Sequence, residues 1–79
     1  MTFRERWLQE ANKASGLRKR RMLRLADNPQ AMKRMEQAAR DKLGLKASDK
    51  ADFGKVDWSK LLPILMELLP VILKLFSIA

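Results

Sequence analysis

The densest chemistry in the chain is the run Arg18-Lys19-Arg20-Arg21, with Arg24 one helical turn further on. Guanidinium groups meet phosphate oxygens bidentately, so the grouping points to a polyanion. On a helix, Arg20, Arg21 and Arg24 fall within an arc of roughly 100°. Two partners fit it. Anionic lipid headgroups attract a basic residue near the surface by about 1 kcal/mol. Nucleic acid binds such a cluster without sequence preference. The bland alternative is a solvated face, or one that meets another protein.

Other reactive side chains are scarce. There is no cysteine and no histidine, so thiolate chemistry, the commonest general base and the commonest transition-metal ligand are all missing. Ser15, Ser48, Ser59 and Ser77 therefore lack a histidine to activate them. Nine carboxylates are scattered, most with a basic neighbour within four residues, and none forms a convincing acid/base pair. Asp52-Phe53-Gly54 spells the metal-binding tripeptide of protein kinases, but the Gly-rich loop and the HRD motif are absent. The expectation is a protein that is not an enzyme and uses no metal or cofactor.

The charge is placed unevenly. Residues 1–46 hold 13 Lys/Arg against five Asp/Glu, and residues 47–79 hold four of each. A polycationic front thus precedes a neutral, apolar back, an asymmetry that suggests a polyanionic partner. At 79 residues the chain allows one small domain plus an appendage, with a core near the lower limit for independent folding. The first residues, MTFRERWLQE, lack the apolar run of a signal peptide.

Three helices are expected to carry the basic front, residues 1–43. In residues 3–14, Phe3, Trp7, Leu8 and Ala11 recur at helical spacing, with Arg4, Arg6 and Glu10 left for water. Ser15-Gly16 ends that helix. Residues 17–27 form a second, short helix, whose Leu23 and Ala26 turn away from the arginines toward Met32 and Met35 of the third. The third spans 29–43, with Asn28 as N-cap and Pro29 at the first helical position. Its apolar face is Ala31, Met32, Met35, Ala38, Ala39 and Leu43, and Glu36 and Arg40 form an i,i+4 pair. Residues 44–58, which lack any sustained period, read as a linker. The front does not match a helix-turn-helix, because its most basic helix is the second and the third offers no set of base-reading side chains. No strand pattern occurs, so the fold class is all-α.

Residues 59–79 read as a separate apolar helix. Aligned by sevens, Lys60, Glu67 and Lys74 coincide, and so do Pro63, Pro70 and Ser77. The two sets occupy the positions that are apolar in a coiled coil. A narrow stripe thus holds charges and prolines while the other five positions are apolar. Pro70 leaves the Met66 carbonyl without its donor, and water can satisfy it on the polar side. Residues 61–79 would make about 28 Å of helix, close to a hydrocarbon core of about 30 Å. Twelve Leu/Ile/Val/Phe contribute about −4 to −7 kcal/mol to insertion. Glu67 costs about 2–3.5 kcal/mol and the prolines cost more, so insertion is allowed but not compelled.

The residues expected at a membrane or oligomer contact are Trp58 as interfacial anchor, Lys60, Leu61, Leu62, Pro63, Leu65, Glu67, Leu68, Leu69, Pro70, Ile72, Lys74 and Phe76. An antiparallel pair of tails would set Glu67 opposite Lys74 and form two ion pairs. The stripe resembles that of some membrane-acting toxin peptides, and the basic front with an apolar tail is similar in arrangement to small toxins and viral lysis proteins. The likeness is one of architecture. The leading expectation is a membrane-associated protein, its basic half on the cytoplasmic side gripping anionic headgroups, its tail inserting or oligomerising. One alternative is a nucleic-acid-binding or virion-internal protein whose tail packs on a partner protein. Another is an accessory subunit of a membrane complex.

Overall fold

In the computed structural model, which describes residues 1–46 and 48–76, Thr2 opens the first helix with a reciprocal cap. The Thr2 hydroxyl accepts from the Glu5 amide at 3.2 Å, and the Glu5 carboxylate accepts from the Thr2 amide at 3.0 Å. That amide hydrogen bond, followed by the hydroxyl, holds the Glu5 carboxyl below its ordinary range. The helix, α1, runs Phe3–Lys13. Ala14 is extended and Gly16 takes φ of 64°, a left-handed value that side-chain-bearing residues rarely adopt. The chain then enters α2, Gly16–Ala26.

Asn28 and Pro29 start α3, Pro29–Leu43, as expected. The Asn28 side-chain oxygen accepts from the amides of Gln30 and Ala31, both at 3.0 Å. Gly44, at φ 72°, closes the helix. The Glu36–Arg40 pair forms at 3.1 Å. After residues 45–57 the chain enters α4, Trp58–Leu75. Among the described residues there is no strand.

Each helix gives its apolar face to one core. Phe3, Trp7 and Ala11 come from α1, Met22, Leu25 and Ala26 from α2, and Ala31, Met32, Met35, Ala38 and Ala39 from α3. Trp7 is fully buried, and its indole N–H donates to the Met22 carbonyl at 2.8 Å, tying α1 to α2. Ala26 joins Met32 and Met35 in this core, while Leu23 packs at its edge.

The tail is not separate. Trp58, Leu61, Leu65, Leu69, Ile72 and Leu73 of α4 are buried in the same core, against α3 and α2. The radius of gyration, 11.7 Å, matches the ~11.6 Å expected when a chain of this length folds into one body. The physical reason is area. Three short helices cannot close a core alone, and the apolar faces left over find the most apolar helix in the chain.

The expected linker is also corrected. Phe53 is buried, its ring edge-on to Phe3 at 5.2 Å between centroids. Its amide donates to the Met1 carbonyl at 3.0 Å. Trp58 opens α4 beneath the guanidinium of Arg6, 5.4 Å from the ring centroid, and is buried in the core. The residues 77–79 that the sequence reading includes in the last helix lie outside the described residues.

Phe53→Ala distinguishes a packed segment from a free linker. The fold predicts a loss of about 3 kcal/mol in urea unfolding. A free linker would lose less than about 0.5 kcal/mol.

Candidate anion-binding face

α2 contradicts the ordinary rules of helix construction. Its N-cap, Ser15, makes no side-chain capping bond, and its first turn holds no acidic residue. Arg18 and Lys19 instead stand near the positive end of the helix dipole, where cations are disfavoured. Arg18/Arg21 and Arg21/Arg24 are three apart and Arg20/Arg24 four apart, so like charges face one another along the surface. The sequence of α2, GLRKRRMLRLA, contains no carboxylate to relieve them.

The fold turns this charge outward. Met22, Leu25 and Ala26 face the core, while Arg18, Arg20, Arg21 and Arg24 are exposed and Lys19 is half-buried. Arg20, Arg21 and Arg24, which fall within an arc of about 100° on the helix, are all exposed. Among the described residues, none of these five cations lies within ion-pair distance of a carboxylate. The basic residues elsewhere that do pair are Arg6 and Lys13 with Glu10, Arg40 with Glu36, and Lys60 with Asp57. Arg4 is engaged differently, donating to the Ala26 carbonyl at the C-terminal end of α2.

Leu17 stands on the same face at 59% exposure, a residue the sequence reading did not single out. Beside it an open groove of about 570 Å³ runs between α2 and α4, with Leu17, Arg18 and Arg21 on one bank and Pro63, Met66 and Pro70 on the other. The lip of the groove is thus cationic and its walls are apolar.

The candidate residues of α4 divide into two sets. Lys60, Pro63, Glu67, Pro70 and Lys74 are all exposed, so the whole described part of the heptad stripe faces solvent. Trp58, Leu61, Leu65, Leu69 and Ile72 are buried, and Leu62, Leu68 and Phe76 are half-buried. Pro63 lies in the second turn of α4, so it leaves the Ser59 carbonyl without a helical donor, as Pro70 does for Met66. Both prolines point away from the core, where a freed carbonyl is least costly. Among the described residues, no helix is long and apolar enough to cross a membrane.

Among the described residues no group of three or more His, Cys, Asp or Glu is gathered as a metal site would require. The perturbed carboxyls serve local structure. The N-terminal ammonium, then the Gly54 amide, hold Asp52 below its ordinary range, and the Ser59 hydroxyl does the same for Asp57. Comparison of the chain with protein-family models, with curated proteins and with solved structures gave no match.

The unpaired face makes a stability prediction. Replacing Arg20, Arg21 and Arg24 together by Gln removes like-charge contacts worth about 0.2–0.5 kcal/mol each. Thermal unfolding at low salt is expected to shift upward, with the gain shrinking as salt is added. A clear loss of stability would mean that the arginines hold the fold together.

Proposed function

We propose that this chain is a non-enzymatic protein that binds anionic membrane surfaces peripherally, with the arginine face of α2 as its contact. The observation that carries the reading is the combination on α2 of cations without intramolecular partners, an exposed leucine in their midst and an apolar groove along their edge. Each feature costs folding free energy or solubility and repays nothing inside the molecule. Departures of this kind from local consistency concentrate at functional sites.

The mixture of side chains favours lipid over nucleic acid. Phosphates alone call for guanidinium and ammonium groups, with polar side chains between them. A lipid surface adds a layer just below the phosphates that accepts aliphatic side chains, and Leu17 among the arginines suits that layered chemistry. In this reading α4 stays packed as the fourth helix. Its apolar residues stabilise the body that displays α2, in place of the insertion that its composition first suggests.

Flotation with vesicles tests the proposal. Binding is expected to vesicles containing phosphatidylglycerol at low salt, to weaken at high salt, and to be absent from phosphatidylcholine vesicles. Arg20→Gln, Arg21→Gln and Arg24→Gln together are expected to weaken it by about two orders of magnitude, at about 1 kcal/mol per cation. Leu17→Gln should weaken binding without changing its salt dependence. Absence of flotation under every condition, together with salt-dependent binding to RNA or DNA, would transfer the site to nucleic acid.

A further inference from the structure

Around α4 the buried row and the charged stripe lie on nearly opposite sides, as their positions at 100° per residue require. Between them, on the flank away from the α2 groove, runs a second apolar row: Ile64, Leu68, Val71 and Leu75. Ile64 is 36% exposed, Val71 54% and Leu75 67%, with Leu68 half-buried. The steps are four, three and four residues, the spacing of a helix–helix seam. The row is about 16 Å long. Among the described residues, no element covers it.

We propose that this row is the surface on which two copies of the chain pair, α4 running antiparallel to the α4 of its partner. Charge selects this occupant. The outer edge of the row is the stripe that carries Lys60, Glu67 and Lys74, and among the described residues Glu67 and Lys74 make no ion pair. A twofold axis across antiparallel helices brings the same edge of both copies together. Setting Leu68 opposite the partner's Val71 also sets Ile64 opposite the partner's Leu75, so one register matches the whole row. In that register Glu67 lies about 3 Å along the axis from the partner's Lys74, within reach of its ammonium. Symmetry makes two such pairs. A parallel pair would place the charged edge of one copy against the core-side edge of the other, leaving Glu67 without a cation.

The arginine face is on the other flank of α4, so pairing leaves it open. The seam is far shorter than an interface burying about 800 Å² per partner. The dimer is accordingly weak, with a dissociation constant of about 10 µM or higher.

Sedimentation equilibrium of the whole chain, from about 10 µM to about 1 mM, is expected to show a monomer–dimer equilibrium. Val71→Asp should leave monomer at every concentration with helicity unchanged by circular dichroism. Glu67→Lys and Lys74→Glu should each weaken association by about tenfold or more. The double variant Glu67→Lys/Lys74→Glu should restore it. That rescue requires a cross-chain pair, because residues seven apart on one helix are separated by about 10 Å. Should Val71→Asp fail to fold, the charge-swap series decides alone. A wild-type chain that is monomeric throughout overturns the proposal, and so does a dimer whose single charge variants associate as tightly as the wild type or whose double variant shows no rescue.

Discussion

The fold rests on one row of aliphatic side chains, Leu61, Leu65, Leu69 and Ile72, buried on the inner face of α4. α3 offers mainly alanine and methionine, while α1 adds Phe3 and Trp7 and α2 adds Met22 and Leu25. With no disulfide to assist, a chain of this size needs nearly every large side chain it can bury. Docking α4 supplies them and fixes much else. The prolines and charges of the tail must point outward, because the inner face is occupied. Trp58 is drawn under the core, where it lies 5.8 Å from Phe3 between ring centroids, and Phe53 follows from the connecting segment.

The same packing explains how a chain with a formal charge of +8 tolerates a helix as basic as α2. The core holds α2 through Met22 and Leu25 and through the Trp7 hydrogen bond to the Met22 carbonyl. These contacts lie on the side opposite the arginines. Tertiary burial therefore overrides the poor local design of the helix, and the exposed side is free to carry charge that does nothing for stability. Glu5, Glu10 and Glu36 cap or pair on α1 and α3. Between Gly16 and Ala26, α2 contains no acidic residue.

Local signals were readable in the sequence. The Asn28-Pro29 boundary and the glycine stop at Gly44 gave α3 to the residue, and helical spacing placed Phe3, Trp7 and Ala11 inward. The arginine arc of α2 and the outward stripe of α4 also followed from periodicity. The docking of the tail did not. With apolar residues at five of every seven positions, α4 has several faces fit for burial, and only the shape of the other helices selects Leu61, Leu65 and Leu69 over Ile64, Val71 and Leu75. Phe53 was hidden for a related reason. A single aromatic residue in a polar stretch has no period, and its partner, Phe3, is fifty residues away. Leu17 was missed because one leucine at the start of a basic helix looks like a core residue until the core is seen.

α4 and the basic helices share one core, so they should unfold as one cooperative body. Native-state hydrogen exchange measures this directly, because elements that unfold together share one opening free energy. Amides in the middle of α4, from Leu65 to Leu73, are expected to exchange with the same free energy and denaturant dependence as those of α1 and α3. Rapid exchange throughout α4 while α1 to α3 remain protected would contradict it, and would return the tail to the status of an independent helix.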